Sequence, residues 1–336
     1  MSGTSADGLD LCLASFNEFG ETYAYQIVEA NQIDYPQHWS GILRQAHTLS
    51  AEQLIKTHTA YGIWCARQIL HFLQNHQNVT AIAFHGSTVF HQPEHQISFQ
   101  LGHPATISRI CALPVVADFR SADLLLQGRG APLVPFGDEM LFPEYDVCLN
   151  LGGFANYSAK VNGVRLASDL CIANYALNHL ARQKNQEYDP NGQGAAAGTI
   201  LLDLLQNLHN AMHKLGPGPH ALTREWAETL LLPLLNSSEI NNQLATVCEH
   251  IALQISHQVP IRGKWLVSGG GAHNQHLMQR ISHHLGIPLP HTGHLINHKE
   301  ALIFAFLGLR RLNGQINCLA SVTGARNDHS TGTIYS

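Results

Sequence analysis

Apolar and polar positions change their period several times along the chain. Leu9, Leu11, Leu13 and Phe16 roughly alternate with polar residues, and Thr22 to Val28 is a second apolar-rich run after Gly20, so residues 1–30 read as a β-hairpin. From Leu54 through Tyr61, Trp64 and Ile69 to Phe72 the apolar residues recur at helical spacing, behind a Ser50/Gln53 capping pair, which predicts a helix over 51–76. The same reading gives helices over 38–48, 104–111, 172–184, 191–214, 219–235, 238–258 and 298–313. Short apolar runs at 79–84, 113–117, 145–151 and 264–267 read as buried strands, 97–101 as an alternating strand, and 155–166 as two strands turning at Asn162-Gly163. Residues 121–144 read as loop. Buried strands interleaved with helices predict an α/β fold. Glycines and prolines concentrate near 130–145, so the expected division is an N-terminal lobe, 1–135, and a C-terminal lobe, 136–336, whose final residues pack back on the first.

Composition narrows the function classes. Charged residues are 13% of the 336, the formal net charge is -5, and no basic block occurs, so nucleic-acid binding has no electrostatic footprint. No apolar run reaches about 18 residues, and the start does not read as a signal peptide, so neither a membrane span nor export is expected. Seven scattered cysteines make no CxxC pair and read as small core residues of a protein in a reducing cytoplasm. Histidines number 23, but His283-His284 and the group His291, His294 and His298 lack zinc-site spacing, so no dedicated metal site is expected.

The candidate chemistry sits in turns at strand ends. Gly3, Thr4, Ser5, Asp7, Gly8 and Asp10 form a small glycine turn before an apolar run; it is either an ordinary terminal turn or a loop whose N–H groups and hydroxyls close on phosphate. Asn150, Gly152, Gly153 and Asn156 follow another apolar strand, where paired glycines permit close backbone approach or a plain tight turn. Gly269, Gly270 and Gly271, then Asn274 at a helix start, form a dipole site for phosphate or a platform for a base. Asp169 is a candidate general base or an N-cap for the helix after it. Arg120, close to Asp118, is either a carboxylate clamp or half of a local salt bridge. Strand-then-glycine-turn recurs near 86, 152 and 269, which suggests a nucleotide held between two lobes.

The order of these pieces resembles the anhydro-N-acetylmuramic acid kinase family. The carrying motifs are Met1-Ser2-Gly3-Thr4-Ser5 with Asp7-Gly8 and Asp10; His85-Gly86, Thr88 and His91-Gln92-Pro93; Asp118-Phe119-Arg120 with Asp123; Gly130 to Pro135; Asn150 to Asn156; Ser268 to Asn274; and Ser321 to Ala325. The resemblance implies a two-lobed sugar-kinase/actin-like ATPase fold with an interlobe cleft. It implies a cytoplasmic enzyme of cell-wall recycling that uses ATP and Mg2+ to phosphorylate 1,6-anhydro-N-acetylmuramate while water opens the anhydro bridge. Gly3 to Asp10 would be the first phosphate loop, with magnesium near Asp7 or Asp10. Asn150, Gly152, Gly153 and Asn156 would form the second, and Asn156 would also face the sugar. Gly269 to Gly271 and Asn274 would hold the adenosine side. Asp169 would be the base. His85, Thr88, His91, Arg120 and Glu300 would lie near the sugar. A homodimer is the default assembly. The alternatives are a non-catalytic sugar- or nucleotide-binding relative and a kinase for a different amino sugar.

The chain departs from the family pattern at three places. Asp169-Leu170-Cys171-Ile172-Ala173-Asn174 stands where the family has Asp-Thr-Gly-Pro-Gly-Asn, and Arg129 stands for a glutamine. The family also carries a buried strand ahead of the Met-Ser-Gly-Thr-Ser turn. Here Met1 is that motif's methionine, so the first strand of the N-terminal lobe is expected to be missing, leaving apolar surface and unpaired strand edges.

Overall fold

The computed structural model describes all residues except 3–7, 21, 217, 219, 237, 238, 260, 291, 292 and 294. The chain forms two compact units, Met1–Pro143 with His298–Ser336, and Glu144–Asn297.

In the first unit, β1 (Gly8–Phe19) and β2 (Thr22–Asp34) form the antiparallel hairpin that the alternation predicts. The helix Ala51–Leu73 packs behind it and carries the capping box, with Ser50 accepting from the Gln53 amide and the Gln53 side chain accepting from the Ser50 amide. The expected buried strand at 79–84 is reduced to β3 (Ile82–Ala83). β4 (Ser87–Gln92) and β5 (Ile97–Leu101) make a second hairpin, and β6 (Val115–Ala117) runs parallel to β3. The stretch 121–144 is not plain loop. It holds helices at Ser121–Leu125 and Val134–Leu141. Pro135 sits in the first turn of the second, where a missing N–H costs nothing, so the prolines that suggested a break start a helix instead.

The second unit is built on one four-stranded sheet in the order β10-β7-β8-β9. β7 (Val147–Leu151) lies antiparallel to β8 (Phe154–Val161), β8 antiparallel to β9 (Val164–Ile172), and β10 (Trp265–Ser268) parallel to β7. Val147, Leu149, Leu151 and Val267 are essentially inaccessible and pack with the helices Asn174–Arg182, Ile240–Gln258 and Gln275–Leu285. The stretch read as a helix over 219–235 is irregular, a short helical turn at Arg224–Trp226 followed by tighter and wider turns up to Leu234.

The chain then returns to the first unit. The helix Leu295–Leu312 lays Gly308 so close to β3 that an added Cβ would sit 2.7 Å from the Ala83 Cβ. β11 (Thr333–Tyr335), not foreseen in the sequence, pairs antiparallel with β6. The sequence boundary at 135 and the packing boundary at 143 differ because Phe136 and Gly137 in the helix Val134–Leu141 pack against Phe306 and Ile303 of this returning helix.

Among the described residues the first unit's sheet is split. β1 pairs only β2 apart from the Ser2–Leu9 bridge, and β3 pairs only β6. A cavity of about 480 Å³ lies where these strands face it, lined by Leu11, Leu13, Phe72, Ile82, Phe304 and Leu309.

Candidate active site

The second unit's candidate residues fall on one line. Ser268 is opposite Asn150 on β7, Asn150 is opposite Asn156 on β8, and Asn156 is opposite Asp169 on β9. Directly opposed residues share a face, so a polar row crosses the sheet, flanked on β7 by Leu149 and Leu151 and on β10 by Val267. The register slips between Ala155 and Asn156, so Leu170 has no opposite residue. This bulge buries Leu170 and Cys171 completely and leaves Asp169 half-buried at the row's end.

Asp169 is held by a neighbouring segment. One carboxylate oxygen accepts from the Leu222 amide at 2.8 Å, and the Asp169 amide donates to the His220 carbonyl at 3.1 Å. It does not cap the following helix. That helix starts at Asn174, its N-cap is Ala173, and no side chain caps it. The N-cap reading of Asp169 is therefore replaced by a strand position, because β9 runs on to Ile172.

The two glycine turns meet through backbone. Gly269 has φ +85, and a Cβ there would lie 2.6 Å from Asn150 Oδ1 and 2.8 Å from the Leu151 backbone, so only glycine fits. A Cβ on Gly271 would lie 2.7 Å from the Leu151 Cβ and 3.0 Å from Asn174 Oδ1. Gly270 is exposed beside them, and the carbonyls of Gly152 and Gly153 accept from the amides of Ala173, Asn174 and Tyr175. The triple glycine does not lead straight into a helix. A short 3-10 turn, Gly270–His273, intervenes before the helix Gln275–Leu285. Asn274 is buried and caps that helix, its Oδ1 accepting from the Leu277 amide at 2.9 Å, which commits its side chain to structure.

Asn174 was not singled out in the sequence as a site residue. It donates to the Leu151 carbonyl at 3.0 Å and stands beside Gly270 and Gly271, so it ties the two glycine turns together. Its signal was present in the surviving asparagine of the 169–174 motif. The His220–Leu222 segment carried no recognisable pattern.

In the first unit the sugar-side candidates gather around Arg120. Its Nε and Nη2 reach His85 Nε2 at 3.1 and 2.8 Å, and its Nη1 donates to the Gly130 carbonyl at 2.7 Å. The His85 Nδ1 donates to the Gly86 carbonyl at 2.9 Å, so the ring is the neutral tautomer that can accept from arginine. Burial first, then the Arg120 charge, pushes His85 well below the usual histidine range. Asp118 is not the ion partner of Arg120. It takes a positive φ of 53° and accepts from the Ser121 amide and hydroxyl, so the local salt-bridge alternative does not hold.

His91 lies at the same place, its ring 3.1 Å from where a Gly130 Cβ would be, and pairs with the Ser98 hydroxyl at 3.1 Å. Thr88 is on β4, opposite Gln100. The Glu300 carboxyl reaches solvent, yet the protein crowded around it raises its proton affinity, and the Arg120 charge opposes that rise. Of the first glycine loop, Gly3, Thr4, Ser5 and Asp7 lie outside the described residues. Gly8 and Asp10 are described, and the loop's ends are closed by the Ser2–Leu9 bridge and paired Met1–Asp10 backbone bonds at 2.8 Å.

With these turns and side chains in place, sequence comparison decides the family. The model of the anhydro-N-acetylmuramic acid kinase family matches residues 1–336. The chain belongs to that family. It is 33% identical over 362 aligned residues to the anhydro-N-acetylmuramic acid kinase of Pseudomonas fluorescens (strain Pf0-1), covering 100% of this chain and 98% of that one. To the enzyme of the same name from Shewanella sediminis (strain HAW-EB3) it is 31% identical over 361 residues, covering 100% and 97%. Among solved structures it is similar to component A of the (R)-2-hydroxyglutaryl-CoA dehydratase of Acidaminococcus fermentans, at 13% identity and a TM-score of 0.41, over 87% of this chain and 95% of that one. No described helix is long and apolar enough to cross a membrane.

Proposed function

We propose that this family member phosphorylates the 6-oxygen of 1,6-anhydro-N-acetylmuramate with ATP while water opens the anhydro bridge, giving N-acetylmuramate 6-phosphate for cell-wall recycling. The observation that carries the reading is the polar row ending in Asp169, an anchored carboxylate beside a strand bulge, in a chain of this family. Asp169 takes a proton from water, and the hydroxide attacks the anomeric carbon. The bond from that carbon to the 6-oxygen breaks, and the freed oxygen attacks the γ-phosphorus as ADP leaves. Because the Leu222 amide fixes the carboxylate's orientation, little is lost to ordering in the transition state.

Each remaining group has a role that suits its chemistry. The glycines at 152–153 and 269–271 leave backbone bare for phosphate and nucleotide to approach, and at Gly269 and Gly271 no larger residue fits. Arg120 spends three of its five N–H donors on His85 and Gly130, which presets its plane toward a lactyl carboxylate. Asp10, only partly buried at the foot of the first glycine loop, together with Asp7, would hold the magnesium that accompanies ATP and neutralises its phosphate charge. The reading assigns the chain to the cytoplasm, as a homodimer by the default of soluble oligomers.

The test is to incubate the chain with ATP, magnesium and 1,6-anhydro-N-acetylmuramate beside a panel of other amino sugars, following ADP and sugar phosphate. Turnover of the anhydro sugar above the rest is expected. Faster turnover of another amino sugar would move the reading to a different kinase, and ligand binding by calorimetry without turnover would reduce it to a binding protein.

A further inference from the structure

Behind the Arg120 loop, within the first unit, lies a cluster that the proposed reaction does not use. Asp123, Cys318 and His329 are 0, 1 and 8% exposed, and one ligating atom from each lies within 4.8 Å of the others. Cys318 and His329 face each other as an isolated antiparallel pair and turn toward the carboxylate. The Cys318 Sγ is 3.3 Å from Asp123 Oδ1, and the His329 Nε2 is 3.5 Å from the same oxygen. Tetrahedral bonds of about 2.0–2.3 Å set ligand atoms roughly 3.3–3.8 Å apart. Two of the three separations already match that edge.

The second observation is the state of the imidazole. His329 Nδ1 pairs with the Asn327 carbonyl at 3.1 Å, and that carbonyl can only accept, so the proton sits on Nδ1. The other ring nitrogen, Nε2, faces the Asp123 carboxylate oxygen. Nε2 is buried and makes no hydrogen bond. A buried ring nitrogen facing a carboxylate oxygen calls for a positive charge between them, a proton or a metal ion. A ring nitrogen bonded to a backbone carbonyl, with the other aimed at a cation, is also the usual posture of a ligating histidine.

The geometry points to a structural divalent zinc site formed by Asp123 Oδ1, the Cys318 thiolate and His329 Nε2, with the Thr323 hydroxyl donating to Asp123 Oδ1 at 2.6 Å and so orienting the carboxylate. Sulfur, nitrogen and carboxylate together suit zinc better than magnesium or calcium. Binding takes the thiol proton, which leaves to solvent. Thiolate and carboxylate then balance the ion's two charges. The other Asp123 oxygen accepts from the Gly130 amide at 2.6 Å, and the Gly130 carbonyl holds Arg120. Zinc would therefore staple the 318–329 segment to the loop that positions Arg120.

The test uses the full chain. After chelator treatment and desalting, it is titrated with zinc and, separately, with cobalt(II). One equivalent of zinc bound, a thiolate-to-cobalt charge-transfer band, and a melting temperature raised by zinc are expected. Cys318→Ser should remove the band, and His329→Gln should weaken zinc binding by at least about 10–100-fold, the loss that even an outer-shell partner can cause. Should Cys318→Ser fail to fold, the wild-type cobalt spectrum with the His329→Gln titration still decides. Zinc at only trace stoichiometry, or a charge-transfer band that survives Cys318→Ser, would overturn the proposal.

Discussion

The two units place their candidate residues by different physics. In the second unit, backbone does the placing. Four opposed strand positions, Ser268, Asn150, Asn156 and Asp169, line up because the sheet's register lines them up, and the glycine turns follow at the strand ends. In the first unit, side chains do it. Arg120 is aimed by an imidazole from 35 positions away and by a loop carbonyl, on a sheet that is split beside an apolar cavity. A register-built site tolerates change around it but not at its end residue. A site built from side-chain bonds should fail by degrees as each bond is lost.

The largest expected effect follows from that contrast. Asp169→Asn keeps an acceptor for the Leu222 amide but cannot take a proton, so turnover should fall by about 10³-fold, while ATP binding by calorimetry changes little. Turnover within a few-fold of wild type would remove Asp169 as the base and break the contrast. Arg120→Lys comes next. Lysine cannot keep both the His85 and Gly130 bonds in one plane, so the KM for the sugar should rise by roughly 10–100-fold, as expected for losing hydrogen bonds to a charged group.

Stability should separate the units as well. Leu149→Ala, in the closed core of the second sheet, should cost about 2–5 kcal/mol in urea unfolding. Leu11→Ala removes a side chain that already borders the cavity, so it loses fewer contacts and should cost about half as much. Equal costs would mean that the cavity wall is as tightly packed as the core.

A further effect is on pH. His58 is held down to about 4 and His85 well below its usual value in the first unit, and His250 to about 3 in the second, all chiefly by burial. The unfolded chain takes up these protons near the ordinary 6.5 while the folded chain refuses them. Stability is thus fully present above that value and declines as pH falls toward 4 in the first unit and 3 in the second. Urea midpoints measured at descending pH should show this decline, and a midpoint that rises on acidification would reverse the sign of the account.

How much was legible in the sequence follows the same division. The Asn150 and Gly269 turns could be read because a buried strand followed by glycines is a local pattern, and the Asn162-Gly163 hairpin and Ser50 capping box were read for the same reason. The alignment of Asn156 with Asp169 depends on a bulge at Leu170, which no local pattern marks. The bond from Arg120 to His85, the Leu222 anchor for Asp169 and the pairing of β11 with β6 each join residues far apart in the chain, and local periodicity carries no information about such contacts. The prolines of 132–135 misled because proline both breaks a helix and starts one.

The central claim couples two events, phosphoryl transfer to the 6-oxygen and entry of water at the anomeric carbon. Mass spectrometry of the sugar after reaction with ATP and magnesium measures both at once. The account predicts a product that has gained one phosphoryl group and one water together, in step with ADP. A product that has gained the phosphoryl group without water, or ADP formed with the anhydro sugar unchanged, would contradict it.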